Sequence, residues 1–411
     1  MGDADSPLRS SGADAAPLIR AFARPRLTGS SGAAAVERKL RARLETLGYG
    51  VESLPFEFSA WPAGRGVSVL AFILLAGASG AWWLLSQAGT RAGEAAGVAG
   101  GTTAGAALGA LGVVLATAAV ALVGLGATSW AILNLPFGRI TGHNWLARRS
   151  HRPPTLLVMA HRDSKSQAVP TLVRTLAAGL AILGWLGLLV ASLFGVFGAP
   201  QPWLAHAGLA AALAGGFGLL PAVTGNTSPG ALDNATGLAA LLLVARDQRE
   251  HDDVAFLITD AEEFGLAGAA AAVGKPPLDG VRIVINMDGL DDVGMIRVCE
   301  GRGFPTRDRA PGLTAVLARS CGQLGLPVQT GPLPPGVLCD HIPFAAAGVP
   351  AVTLMRGDLR SLARVHRPSD APQRLTGAGA EETARVVARA LDEIRRLGLP
   401  PLSDTTTLGA S

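Results

Sequence analysis

Four long stretches of this chain carry no charged side chain: residues 67–88, 106–134, 175–199 and 203–224. Each reaches the roughly 20 apolar residues that a helix needs to cross a bilayer. The pattern therefore predicts about four transmembrane α-helices, arranged as two hairpins. Elsewhere the chain reads as a soluble fold. In AAAVERKLRARLETLGYG, Ala35, Leu40, Leu44 and Leu47 recur at helical spacing, and Gly48 and Gly50 end the helix. VESLPFEF alternates apolar and polar positions, as a strand does. Beyond residue 226, VAFLIT, VRIVIN and AVTL read as strands, and GLAALLLVARDQ, GLTAVLARSCGQLG and EETARVVARALDEIRRLG as helices. Strands alternating with helices at this spacing predict an α/β domain.

These patterns divide the chain. Residues 1–30, rich in Ser, Gly, Ala, Asp and Arg, read as a loose tail. Residues 31–66 open the soluble domain, 67–134 form the first hairpin, and 135–171 return to the soluble domain. Residues 172–224 form the second hairpin, 225–398 the main part of the soluble domain, and 399–411 a second tail.

Composition supports lipid contact. Charged residues are 16% of the chain and hydrophobic ones 49%, where a soluble globular chain carries about 25% charged residues. The net charge of +4 is too small to suggest nucleic acid as a partner. The three cysteines, Cys299, Cys321 and Cys339, are odd in number and lack CxxC spacing, which argues for a reducing compartment. The first 30 residues hold no apolar run of the signal-peptide kind. Lys and Arg cluster before the first apolar run and between the second and third, whereas only Arg91 lies between the first and second. The positive side is normally cytoplasmic, so the soluble domain is expected on the cytoplasmic side of a membrane, as a multi-pass protein of a bacterial inner membrane.

Candidate chemistry follows the strands. TLLVMA runs into His161, with Asp163 just beyond it. VAFLITDA runs into Glu262 and Glu263, VRIVINM into Asp288, and AVTLMRG leads after a short loop to His366. Asp233 stands in GALDNATG, before a predicted helix. Ligands of open α/β sheets bind beyond the carboxyl ends of strands, so topology brings these residues to one edge. Imidazole and carboxylate suit zinc, and two His with three carboxylates can serve two ions with one carboxylate bridging. Of two adjacent glutamates, one can bind metal while the other moves a proton.

The series AHRDS, GALDNATG, EE, NMD and VHRPSD resembles the zinc aminopeptidases of the M28 peptidase family, over residues 32–62, 140–166 and 226–398. The resemblance implies a three-layer α/β sandwich with a mixed, mostly parallel central sheet, into which the four apolar runs are inserted. It implies two zinc ions, one held by His161 and Asp288, the other by Glu263 and His366, with Asp233 bridging. It makes Glu262 the general base and Asp163 the carboxylate that orients a His ligand. CDHIPF resembles a segment of relatives in which Asp340 or His341 contacts substrate or the developing oxyanion. Two departures remove no ligand: Arg162 stands where an aromatic or aliphatic residue is frequent, and Arg367 where Thr is common. The expected function is that of a membrane-anchored di-zinc metallopeptidase acting on peptides, as an aminopeptidase. The alternatives are a glutaminyl cyclase-like zinc acyltransferase, usually with one zinc, and a non-catalytic membrane scaffold.

Overall fold

The computed structural model describes residues 13–94, 100–125, 129–303, 305–334 and 336–398. The chain divides into two compact units. One comprises Met1–Ala60, Ile132–Ser166 and Gly225–Ser411, and the other Trp61–Ala131 and Gln167–Thr224.

The first unit is built on an eight-stranded mixed sheet. Its strands are β1 (Gly50–Ser59), β2 (Arg139–Arg148), β3 (Leu156–His161), β4 (Val254–Thr259), β5 (Ile283–Leu290), β6 (Ile296–Glu300), β7 (Val328–Gly331) and β8 (Ala351–Arg356). They lie in the order β1-β2-β4-β3-β5-β8-β6-β7. The central run β4-β3-β5-β8 is parallel, whereas β1–β2, β2–β4 and β8–β6 are antiparallel. Leu156 of β3 pairs with both Val254 and Ile283, and His161 pairs with Thr259. The three strands thus start level and run the same way, so their carboxyl ends lie along one edge of the sheet.

Every residue of β3 and β4 is buried. This is why both read as unbroken apolar runs, as sheets covered on both faces do. Leu156, Val158, Phe256 and Ile258 pack with side chains of the helices Thr236–Asp247 and Ala378–Leu397. On the opposite face Leu157, Met159, Ala255 and Leu257 pack with Ala269, Ala272 and Phe344, from the helices Ala267–Ala272 and His341–Ala346. Each large apolar side chain buried in these layers contributes about 1.5–3 kcal/mol.

One expectation is overturned at the N-terminus. Of the 1–30 segment, the described part from residue 13 is not loose. Ala15–Phe22 is a helix whose Ala15, Leu18, Ile19 and Phe22 are buried in the main core. An eight-residue helix is marginal by itself, so its short apolar stripe is stable only because a core waits for it. Residues 1–12 and 399–411 lie outside the described residues.

The second unit contains the helices Val67–Glu94, Gly100–Leu125, Thr171–Val196 and Pro202–Leu219. Each apolar run thus holds a helix, but among the described residues only Pro62–Gln87 and Leu172–Val196 are long and apolar enough to cross a membrane, rather than the four expected. Within the run 106–134 the described residues form a shorter apolar helical stretch, Gly105–Ala119. The glycines have a packing reason. A Cβ on Gly184 would fall 2.2 Å from the backbone nitrogen of Ala212, and one on Gly215 would fall 2.4 Å from that of Ala181. The helices Thr171–Val196 and Pro202–Leu219 therefore touch backbone to backbone, the small-residue packing that membrane helices favour. Leu176, Leu183, Phe197 and Trp203 point outward and are exposed.

Candidate metal centre

Each implicated side chain reaches the sheet edge on a different element. His161 is the last residue of β3. Glu262 and Glu263 form a tight turn after β4, and Asp288 lies near the end of β5. Asp233 precedes the helix Thr236–Asp247, beside a cis peptide to Asn234, and His366 follows the short helix Leu359–Arg364. Ala261, Leu266 and His366 are non-glycine residues with positive φ, at 57°, 63° and 65°. Such backbone is sparsely populated and persists where the surroundings over-determine it, often at functional sites.

The side chains converge. His161 Nε2 stands 3.1 Å from Asp233 Oδ1 and 3.4 Å from Asp288 Oδ1. His366 Nε2 stands 3.0 Å from Asp233 Oδ2 and 3.1 Å from Glu263 Oε2. Two donor sets result, His161–Asp233–Asp288 and Asp233–Glu263–His366, and within each the ligand atoms lie within 4.8 Å of one another. Asp233 is common to both, with one oxygen turned to each set. His161 Nε2 is buried and makes no directed hydrogen bond, although two carboxylates flank it. A buried imidazole nitrogen aimed between carboxylates without bonding either is arranged for a cation, and imidazole with carboxylate is a donor set that zinc accepts.

Supporting groups hold the donors in place. Asp163 accepts the backbone amides of Glu262 at 3.1 Å and Glu263 at 3.2 Å, and its Oδ1 lies 3.6 Å from His161 Nδ1. It thereby fixes the two glutamates and faces the back of the histidine, as carboxylates behind metal-bound histidines do. Asp370, four residues beyond His366, accepts the amides of Leu232 at 2.7 Å and Asp233 at 3.1 Å. Lys165 Nζ pairs with Glu263 Oε2 at 2.7 Å. Sequence reasoning assigned no role to Asp370 or Lys165. Asp370 closes the motif VHRPSD, and its place four residues after His366 was the available signal.

Electrostatics separates the two glutamates. Burial raises the Glu262 carboxyl, the His161 charge opposes, and the carboxylates of Glu263, Asp288 and Asp340 add to the rise, leaving it well above the usual range. Burial also acts against ionisation of Glu263, but His366 and Lys165 outweigh it and hold that carboxyl at about 2. Asp233 is likewise buried, yet the two imidazoles pull it well below the ordinary value. One glutamate is thus a fixed anion and its neighbour a group that can carry a proton, a division of labour seen where paired carboxylates do acid–base chemistry.

Asp340 and His341 are fully buried. His341 lies between Thr353, whose Oγ1 is 2.7 Å from Nδ1, and the Gly301 carbonyl, 3.0 Å from Nε2. Both ring nitrogens are engaged, so neither is directed at a substrate. Asp340 accepts a short hydrogen bond from the Thr259 hydroxyl, while its Oδ1 is buried without a partner. Burial pushes its carboxyl up to about 7, against the pull of His161 and Thr259. The three cysteines are free and buried.

Residues 207–391 match the family model for peptidase family M28. Comparison with curated proteins gives no match. Among solved structures, the fold is similar to an aminopeptidase from Aneurinibacillus sp. strain AM-1, at TM-score 0.51 and 14% identity over 94% of each chain. It is similar to BSAP, a zinc aminopeptidase from Bacillus subtilis, at TM-score 0.52 and 12% identity over 93% of this chain and 94% of that one. It is also similar to the glutaminyl cyclase of Porphyromonas gingivalis, at TM-score 0.52 and 15% identity over 93% of this chain and 98% of that one. At these identities the likeness speaks for the fold.

Proposed function

Because residues 207–391 belong to peptidase family M28, we propose that this chain is a zinc-dependent peptidase that removes residues from the amino terminus of peptides at a two-ion site on the sheet edge. The observation that carries the reading is the sharing of Asp233 between His161 and His366, with one carboxylate oxygen near each. By this reading His161 and Asp288 hold one ion, Glu263 and His366 the other, and Asp233 bridges. Zinc bound there would supply Lewis acidity toward the peptide carbonyl and lower the pKa of water.

The chain's own residues do the rest. Glu262, raised by burial and by its acidic neighbours, takes a proton from the attacking water and returns it to the leaving amine. Asp163 keeps Glu262 and Glu263 in register through their backbone amides. Asp370 does the same for Asp233.

The membrane reading belongs to the same proposal. Pro62–Gln87 and Leu172–Val196 supply two spans by length and composition. The tight packing of Thr171–Val196 on Pro202–Leu219 supports a hairpin. The loop arginines favour the cytoplasmic side for the catalytic unit.

A panel of aminoacyl chromophore substrates tests the proposal. Wild-type protein cleaves them, chelator abolishes cleavage, and Glu262→Gln lowers kcat by about 10²- to 10⁴-fold, the usual worth of a positioned general base. Unchanged turnover in Glu262→Gln would refute the assignment. The similarity to a glutaminyl cyclase makes a second reading concrete: cyclisation of an N-terminal glutaminyl peptide, with no release of chromophore from aminoacyl substrates.

A further inference from the structure

Arg26 comes from the N-terminal segment and is one of the largest fully buried side chains of the protein. Its guanidinium is spent on backbone carbonyls of two different loops. Nε donates to the carbonyl of Arg162 at 2.6 Å, NH1 to that of Pro229 at 2.6 Å, and NH2 to that of Gly230 at 2.9 Å. Its backbone joins in, donating to Ser164 Oγ at 3.2 Å and accepting from the Ser164 amide at 3.3 Å. The first loop begins at the metal-ligand candidate His161 and carries Asp163, and the second leads into Asp233. A Cβ on Gly230, whose φ is +58°, would fall 2.6 Å from Ser164 Cβ and 2.8 Å from Arg26 NH1, so the two loops and the arginine fit without slack.

Burial disfavours the Arg26 charge and lowers its pKa, while the carboxylates of Asp233, Asp370, Asp163 and Glu263 act the other way. The guanidinium fork is suited to this task because it is planar, always charged and rich in donors. A lysine offers one point charge and cannot reach three carbonyls in a plane.

We propose that Arg26 is a positioning residue for the metal centre, clipping the loop after His161 to the loop before Asp233 so that the N-terminal segment sets how tightly the ions are held. This rests on the metallopeptidase reading. The neighbouring contacts agree with it: Thr28 Oγ1 donates to Asp260 at 2.8 Å, and the Leu27 amide donates to Asn226 at 3.0 Å, so the whole stretch is fastened along the rim of the site.

The test is zinc titration of full-length protein in detergent against a chromophoric chelator, with kcat and KM measured alongside. Arg26→Met should remain folded by circular dichroism yet bind zinc about 10- to 100-fold more weakly, the usual cost of losing a group that orients a ligand. Millimolar guanidinium should restore affinity in Arg26→Ala. Phe22→Ala, which hollows the same segment without touching the clip, should lower the thermal midpoint and leave zinc affinity unchanged. If Arg26→Met does not fold, Arg26→Lys carries the test, with weakened binding expected. Wild-type affinity in a folded Arg26→Met or Arg26→Lys, or equal weakening in Phe22→Ala, overturns the clip. Wild-type protein that takes up no zinc instead sinks the metallopeptidase reading on which the clip stands.

Discussion

Asp163 Oδ1 accepts the backbone amide of Glu262 at 3.1 Å, tying the chain that leaves β3 to the turn that leaves β4. These strands are neighbours in the sheet, but nothing in their pairing fixes the geometry beyond their ends. The carboxylate does so, and it also receives the amide of Glu263. Asp163→Asn keeps one acceptor oxygen and loses the other, and with it the negative charge beside His161 Nδ1. Zinc affinity should fall about 10- to 100-fold, read by competition with a chelator. Unaltered affinity would show that neither the charge nor the second acceptor oxygen of Asp163 bears on zinc binding.

Asp233 faces both histidines, so its loss should be unlike that of any other ligand. Metal analysis of dialysed protein should give two zinc ions per wild-type chain, one in Glu263→Gln or Asp288→Asn, and none in Asp233→Ala. A single ion in wild type would favour the cyclase-like reading.

His341 makes a prediction about acid stability. Burial lowers its pKa to about 4, with the Gly301 carbonyl acting the other way. An unfolded histidine titrates near 6.5. The folded pKa is the lower one, so the stabilisation is complete above about pH 6.5 and is lost as pH falls toward 4. The full loss is about 3 kcal/mol. Thermal midpoints of wild type and His341→Asn should therefore draw together over that window. Parallel curves would mean that His341 is not held neutral by the fold.

Leu183 projects from Thr171–Val196 and is 65% exposed. An outward apolar side chain of that size suits lipid. Leu183→Arg should cost about 2.5–3.5 kcal/mol if the helix spans a bilayer, and should shift the protein into the carbonate-soluble fraction of cell membranes. Full retention of the variant in the pellet would argue that this face does not meet hydrocarbon. In right-side-out vesicles, added protease should spare the soluble unit; digestion there would reverse the orientation.

The central strands were legible in the sequence because their chemistry is local. VAFLIT coincides with β4, and TLLVMA and AVTL fall largely within β3 and β8, since strands buried on both faces must be apolar throughout. The outer strands β2, β6 and β7 are not legible in the same way. Their apolar pattern is interrupted by polar and charged residues such as Arg139, Asn144 and Arg297, which a local pattern cannot distinguish from loop. Likewise the four apolar runs declared themselves as helices by composition, whereas the close backbone contact of Gly184 and Gly215 with a partner helix depends on which helices meet.

What the sequence determined by itself was a family resemblance and a set of donor types, because short motifs preserve the order of His, Asp and Glu along the chain. The pairing of these side chains around two ions was implied by the resemblance alone, since donor order carries no distances. The tertiary structure brought Asp233 between His161 and His366, although 72 and 133 positions separate them along the chain, and sealed both ring nitrogens of His341. It also turned Arg26, a charge in what read as a loose tail, into the most enclosed cation near the site. The physical reason is the same in each case. A charged or imidazole side chain takes its role from the groups that replace water around it, and those groups come from distant parts of the chain.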